Sequence, residues 1–166
     1  NNTWIIDPID GTINFLLWVT HFAISIALKS NNEIISGLSY DPFKSKMFFA
    51  EKNNGAFLNN QRIRVSSKNN INNCLFAIGG NLKDEPDFPN RKSGCAALDM
   101  AYVAAGRYDG YFQKNLNLWD IASGIVLIKE AGGVINDLDL YNHKNIKVFV
   151  SNPNINAKFQ EKILNF

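Results

Sequence analysis

The hydrophobic pattern of the chain changes near residues 66–73, and this change constrains the fold more than any other feature. Before it, short apolar runs alternate with turns rich in Asn and Gly, and residues 22–28 alternate with the two-residue period of a strand. After it, apolar residues recur at helical spacing in 95–105 and 121–131, with strand-like runs between them. The sequence therefore predicts an antiparallel meander followed by an α/β layer.

The junction itself is rich in Ser, Lys and Asn and poor in apolar residues, as domain boundaries often are. It predicts two domains, residues 1–67 and residues 68–166. The predicted strands are 22–28, 34–40, 46–51, 75–78, 108–112, 134–135 and 147–150, and the predicted helices are 95–105, 121–131 and 154–164.

Composition excludes several classes of protein. With 46% hydrophobic and 19% charged residues among 166, the chain is neither disordered nor strongly charged, and no apolar run is long enough for a membrane span. Two cysteines cannot build a disulfide framework, which predicts a cytoplasmic location, and the scattered Lys and Arg residues predict no nucleic-acid surface. The start shows no signal peptide and lacks Met, so we expect an upstream part of the protein to be absent from this sequence.

The segment from Trp4 to Phe15 carries most of the chemistry. An apolar strand leads to Asp7, Pro8 turns the chain, and Asp10 follows beside the first carboxylate. Two carboxylates this close repel each other unless a cation lies between them. The next two residues are Gly11 and Thr12, and free N–H groups at such a turn favour a phosphate. The alternative is that both Asp residues only cap a turn and a helix.

A further carboxylate, Asp120, stands in the sequence WDIASGIVLIKEAGG, directly before a run with helical periodicity. Its position predicts a helix N-cap. Two roles are open for it: a plain cap, or a third metal-ligating carboxylate that faces Asp7 and Asp10 from the second domain.

The motifs DPIDGTINF and WDIASGIVLIKEAGG together resemble the two signatures of the inositol monophosphatase family, which are magnesium-dependent phosphomonoesterases and include the bacterial SuhB type. The segments GAF, RVS and AALDMAYVAAGRYDG follow in family order, so the resemblance covers essentially the whole chain. It implies an α/β (α+β) layered sandwich of the inositol monophosphatase or sugar phosphatase type. Residues 1–67 would be the C-terminal half of the metal- and phosphate-binding antiparallel-sheet domain, and residues 68–166 a smaller α/β domain that contributes the third carboxylate.

The resemblance also implies roles for individual residues. The implied metal ligands are Asp7, which bridges two ions, the Ile9 carbonyl, Asp10 and Asp120. The implied catalytic residues are Thr12, whose hydroxyl orients the attacking water, and Asp10. Gly11 and Thr12 would bind the phosphate through backbone N–H groups, and Ser93, Gly94, Ala96 and Gln113 would bind the rest of the substrate. Two or three Mg²⁺ ions per site are implied in the intact protein.

The function implied is Mg²⁺-dependent hydrolysis of a small phosphomonoester, with inositol-1-phosphate as the favoured substrate. Two alternatives remain: a related phosphatase of 3′-phosphoadenosine 5′-phosphate, fructose bisphosphate or NADP, and a catalytically weak SuhB-type protein that binds RNA polymerase or an antitermination factor. Trp18 and Phe43 are interpreted as surface aromatics at the mouth of the site or in a homodimer contact.

Three departures from the family pattern bear on these expectations. The family's upstream acidic metal ligand has no counterpart before Asn1, and Gln113 stands where inositol-hydrolysing relatives carry Glu. The connection 80–91 is shorter than the helix-bearing connection typical of the family. The Gln113 departure predicts looser recognition of a polyol.

Overall fold

The computed structural model describes residues 2–82 and 86–164, and its strands form two sheets. The first is an antiparallel meander of six strands, each paired with the next one along the chain. Asn residues with positive φ occupy its tight turns, because Asn tolerates the left-handed conformation. The strands are β1 Asn2–Asp10, β2 Ala23–Ser30, β3 Glu33–Asp41, β4 Lys46–Glu51, β5 Gly55–Leu58 and β6 Gln61–Ile63.

The strands of the second sheet are β7 Phe76–Ile78, β8 Asn90–Arg91, β9 Gly110–Leu116, β10 Val134–Ile135 and β11 Ile146–Ser151. They lie in the order β10-β11-β9-β7-β8. Strand β7 runs parallel to both β8 and β9, whereas β11 is antiparallel to β9 and β10. Within the connection 80–91, residues 83–85 lie outside the described residues.

Two of the four α-helices described contact both sheets. The four helices are α1 Thr12–Leu16, α2 Ala96–Ala104, α3 Leu118–Glu130 and α4 Asn156–Ile163, with a short 3₁₀ turn at Ile71–Asn73. Helix α3 packs against α2 and against strands β2, β3 and β4, while α2 also contacts β9 and β11 of the second sheet. Among the described residues, no helix is both long and apolar enough to cross a membrane.

The layered α+β fold and the antiparallel meander were both predicted correctly. The prediction that Asp120 is the N-cap of its helix was wrong. Helix α3 begins at Leu118 with Asn117 as its N-cap, so Asp120 lies in the first turn. Sequence periodicity also missed α1 and β8, which are too short to show a period. The domain division 1–67 and 68–166 stays a prediction, and one apolar core contains residues from both parts, such as Phe48 and Leu98.

Candidate active site

Strand β1 delivers two carboxylates to one place. On a regular strand Asp7 and Asp10 would point to opposite faces, because side chains alternate. The pairing with β2 shifts register between them, so Asp7 pairs with Ser25 while Asp10 pairs with Ala23. An irregularity of this kind redirects a side chain. Both Asp residues are buried, each 9% exposed.

The third carboxylate comes from the first turn of α3. The backbone N–H of Asn117 donates to Asp120 Oδ2 at 2.7 Å, which fixes the side chain at the start of the helix. Asp7, Asp10 and Asp120 each offer one oxygen, and these three oxygens all lie within 4.8 Å of one another. The structure therefore brings together the three carboxylates that the sequence singled out.

Each carboxylate has one oxygen held by a backbone N–H. The Ile9 N–H donates to Asp7 Oδ1 at 3.1 Å, and the Ala97 N–H donates to Asp10 Oδ2 at 2.6 Å. The Cys95 thiol is a second donor to Asp10 Oδ2, at 3.2 Å. Together with the bond from the Asn117 N–H to Asp120, these bonds orient all three carboxylates. The second oxygen of each carboxylate accepts none of these bonds.

Burial raises the pKa of all three carboxyls, and for Asp10 it raises the pKa to about 6, against the opposing effect of the Ala97 and Cys95 donors. The charge of Asp120 raises the pKa of Asp7 and Asp10 further. A divalent cation would relieve this desolvation and repulsion. An all-oxygen set of this kind suits a hard cation such as Mg²⁺, so the residues present fit the metal that the sequence implied.

The segment after β1 forms a tight turn. The Thr12 hydroxyl donates to the Ile9 carbonyl at 2.9 Å, which leaves the Thr12 oxygen able to accept a bond. Gly11 has φ 84°, and a Cβ there would lie 3.1 Å from the His21 carbonyl oxygen and 3.3 Å from that of Gly94. Glycine is thus required at position 11 by the backbone itself, a reason independent of any phosphate.

A cavity of about 260 Å³ adjoins the carboxylates of Asp10 and Asp120. Of the residues predicted to bind substrate, Gly94, Ala96 and Gln113 line it. Lys92 lines it as well. A cation beside this cavity favours an anionic ligand.

Gln113 is oriented by a buried neighbour. The Tyr111 hydroxyl, which is fully buried, donates to Gln113 Oε1 at 2.6 Å. Because that oxygen is engaged, the NH₂ group of Gln113 is the part left for a ligand in the cavity. No sequence signal indicated Tyr111 as its partner.

Ser93 is placed differently from the other predicted substrate residues, because it does not line this cavity. Its carbonyl accepts a bond from Asn14 Nδ2 at 2.9 Å, and its hydroxyl accepts one from the Cys95 N–H at 3.1 Å. The same Asn14 nitrogen donates to the His21 carbonyl at 2.8 Å. Asn14 therefore joins the turn after β1 to the loop before α2, a role that sequence reasoning missed although Asn14 stands inside the first motif.

The two aromatic residues assigned to the mouth of the site or a dimer contact are exposed. Trp18 is 92% exposed and Phe43 is 61% exposed, and both line a shallow apolar pocket with Phe15 and Phe22. Their part in a homodimer stays a prediction.

Known proteins resemble this chain in sequence and in structure. A family model described as the inositol monophosphatase family matches residues 1–165. An inositol-1-monophosphatase of Caulobacter vibrioides is 35% identical over 98% of this chain and 71% of its own length, and the Nus factor SuhB of Escherichia coli is 40% identical over 81% of this chain and 56% of its own. The crystal structure of the extragenic suppressor protein suhB from Bartonella henselae matches with a TM-score of 0.89 and 36% identity, over 98% of this chain and 73% of that one. The chain thus spans only part of the length of each relative.

Proposed function

The chain belongs to the inositol monophosphatase family, and we propose that it supplies the active site of a Mg²⁺-dependent hydrolase of small phosphomonoesters. The observation that carries this proposal is the meeting of three carboxylates from β1 and α3 beside a cavity, two of them buried and that of Asp120 half-buried. Inositol-1-phosphate is the substrate we favour. A cytoplasmic location belongs to the same proposal and is supported by the two free cysteines.

In this proposal Asp7, the Ile9 carbonyl, Asp10 and Asp120 hold two or three Mg²⁺ ions. When bound, the metal supplies Lewis-acid polarisation of the phosphoryl group and a water of lowered pKa. The N–H hydrogen bonds to the three carboxylates keep their remaining oxygens oriented, so few groups have to move as the metal binds.

The turn after β1 would bind and orient the reactants. The backbone N–H groups of Gly11 and Thr12 bind the phosphate, and Thr12 Oγ accepts a hydrogen bond from the attacking water, since its own proton is donated to the Ile9 carbonyl. Asp10, like Asp120, lines the substrate cavity and so joins it to the metal site. Gln113, Gly94 and Ala96 contact the leaving alcohol. The Ser93 hydroxyl accepts a bond from the Cys95 N–H and so holds the loop that carries Gly94.

The test is turnover by the full-length protein that contains this chain, with inositol-1-phosphate and with Mg²⁺ added or removed by a chelator. We expect phosphate release that depends on Mg²⁺. Release that continues unchanged in excess chelator would contradict the proposal, as would a protein with no activity on any phosphomonoester.

A second candidate is a transcription-related role, favoured by the names of relatives such as the Nus factors SuhB of Escherichia coli and Haemophilus influenzae. We propose RNA polymerase or an antitermination factor as the partner in that case. Binding to immobilised RNA polymerase that survives replacement of Asp120 by Asn would support it.

A third candidate function is that of a phosphatase of 3′-phosphoadenosine 5′-phosphate, fructose bisphosphate or NADP. The presence of Gln113 and Lys92 at the cavity favours it.

A further inference from the structure

Three serine hydroxyls form a buried chain between α3 and the first sheet. Ser123 Oγ lies 2.7 Å from Ser25 Oγ of β2 and 2.8 Å from Ser39 Oγ of β3. Exposure is at most 1% for all three residues, and the surrounding core is apolar. Buried hydroxyls are costly unless they are hydrogen-bonded, so each member of this chain depends on the others.

Strand register connects this chain to the carboxylate site. Asp7 of β1 pairs with Ser25 of β2, and Ser25 pairs with Ser39 of β3. Residues directly opposite on neighbouring strands share one face, with Cβ atoms about 5 Å apart. Asp7, Ser25 and Ser39 therefore form one row across three strands, on the side covered by α3.

On the helix, Ser123 follows Asp120 by three residues, and positions three apart lie one above the other on the helix surface. The hydroxyl chain thus bonds the turn that follows Asp120 to the strand position beside Asp7. Any rotation of α3 that moves Asp120 away from Asp7 has to break the Ser123 bonds.

The helix also lies unusually close to the sheet at this point. A Cβ on Gly37 of β3 would lie 2.8 Å from Ser123 Cα and 2.7 Å from Val126 Cγ1. Glycine at position 37 sets how near α3 approaches the sheet, and that contact is apolar and non-directional. The Ser123 hydroxyl bonds are directional, so they fix the rotation of the helix.

We propose that Ser123 is a positioning residue for the metal site, because its hydroxyl bonds to β2 and β3 hold Asp120 against Asp7 before metal arrives. The inference rests on the proposed function, since it assumes that these carboxylates bind a divalent cation. The three carboxylates repel one another without metal, and the hydroxyl chain opposes that repulsion. Metal binding then requires no movement of α3, which is the benefit of a preorganised site.

The test measures the affinity of the full-length protein for Mn²⁺, with free Mn²⁺ followed by its electron paramagnetic resonance signal. We expect Ser123→Ala to weaken Mn²⁺ binding about tenfold, within the range typical of groups that orient metal ligands. The matched control is Ser151→Ala, which also removes a buried hydroxyl with two acceptors, the Asn152 carbonyl and Asn156 Oδ1. The control should lower the unfolding temperature and leave Mn²⁺ affinity as in the wild type.

Equal Mn²⁺ affinity in folded Ser123→Ala and wild type would overturn the inference and leave the proposed function intact. Wild-type protein that binds no Mn²⁺ at millimolar concentration would overturn both, so the two failures are distinguishable. If Ser123→Ala does not fold, Ser25→Ala and Ser39→Ala take its place, because each removes one of the two bonds to Ser123. We expect Ser25→Ala to weaken Mn²⁺ binding more, since Ser25 lies beside Asp7. Equal affinity in both replacements and the wild type would overturn the inference.

Discussion

Two buried clusters of this protein are built on opposite principles. Around α4 and the second sheet, five phenylalanines pack together, with the rings of Phe76 and Phe159 stacked at 4.2 Å between centroids. Between β1 and α3, three carboxylates lie side by side, with Asp7 and Asp10 buried and Asp120 half-buried. The aromatic cluster consists of Phe76, Phe88, Phe112, Phe149 and Phe159.

The difference shows where stability and function lie. Burial of an aromatic side chain removes apolar surface from water and stabilises the fold by about 2–3 kcal/mol. Burial of a carboxylate raises its pKa, as for Asp10 here, and so destabilises the charged, metal-free state. Substitutions in the two clusters should therefore have opposite effects on stability and on activity.

The largest effect is expected from Asp120→Asn. Loss of one of three charges should reduce Mg²⁺-dependent turnover by about a thousandfold or more, which corresponds to about 4 kcal/mol. The Asn side-chain oxygen can still accept the bond from the Asn117 N–H, so the helix start stays capped. The unfolding temperature without metal should be equal to or above that of the wild type, because a repulsive charge is gone.

The control for this variant is Asp137→Asn, which removes an exposed carboxylate outside the cluster. It should leave both turnover and the unfolding temperature unchanged. Asp120→Asn protein with wild-type turnover would show that the carboxylates are not the site of chemistry.

The reverse pattern, a loss of stability without a loss of metal affinity, is expected from Phe159→Ala in the aromatic cluster. The ring is fully buried and contacts Phe76, Phe88 and Phe149, so its loss should lower the free energy of unfolding by about 3–4 kcal/mol. Urea titration measures this loss, and Phe159→Leu, which keeps much of the volume, should lose less. Mn²⁺ affinity of the folded fraction should not change. A matching fall in affinity would mean that the two clusters are coupled.

A buried carboxyl on α2 lies outside the group formed by Asp7, Asp10 and Asp120. Asp99 of α2 is 1% exposed, its Oδ1 has no hydrogen-bond partner, and burial raises its pKa to about 8 from 3.8. Between these values the native protein keeps a proton that the unfolded chain releases, so rising pH favours unfolding. The free energy of unfolding should therefore fall from pH 5 to pH 9. Each unit by which the pKa of Asp99 in the native protein exceeds its pKa in the unfolded chain contributes about 1.4 kcal/mol to this fall.

Asp99→Asn has nearly the same shape and cannot ionise. We expect its stability to depend less on pH, and the variant to exceed the wild type at pH 9. Urea unfolding at pH 5, 7 and 9 measures both slopes. Parallel slopes in the two proteins would show that Asp99 does not titrate in this range.

The sequence predicted those parts of the molecule that depend on local pattern. Turn residues and two-residue alternation located the meander, and the first motif located Asp7 and Asp10, because the chain itself brings them together. Contacts between distant segments left no such pattern: the bonds of Asn14 to Ser93 and of Ser123 to Ser25 join residues 79 and 98 positions apart. Alternation shows that a serine faces inward and does not show which hydroxyl it meets.

The N-cap of α3 was misjudged for a related reason. Both Asn117 and Asp120 are residues that cap helices, and a capping arrangement uses one at each of its two positions. The apolar periodicity begins only at Ile121, so the sequence favoured the later residue. In the structure the Asn117 N–H donates to Asp120, which makes Asn117 the N-cap and Asp120 the third residue of the helix. The same bond orients the Asp120 carboxylate toward Asp7.

The smallest effect is expected at the outer wall of the cavity, from Gln113→Glu. One carboxylate oxygen can accept the bond from the Tyr111 hydroxyl, as Gln113 Oε1 does, and the other would accept bonds from substrate hydroxyls, where Gln113 offers an NH₂ group. A charge-assisted bond contributes about 1–2 kcal/mol more than a neutral one, or roughly 5- to 30-fold in kcat/KM.

The measurement is the ranking of substrates by kcat/KM. A change in specificity alters that ranking, whereas a loss of stability does not. The panel is inositol-1-phosphate, glycerol-2-phosphate, fructose bisphosphate and 3′-phosphoadenosine 5′-phosphate, with Gln160→Glu on the exposed side of α4 as the control. We expect broad activity from the wild type and a shift toward inositol-1-phosphate in Gln113→Glu alone. Activity of this variant on the two bisphosphates should be reduced by the added negative charge beside Lys92.

An unchanged ranking would mean that Gln113 does not contact substrate. A wild-type preference for a bisphosphate would instead assign the cavity, with its lysine and its amide donor, to a second phosphate, and the function would then be that of the related bisphosphate phosphatases.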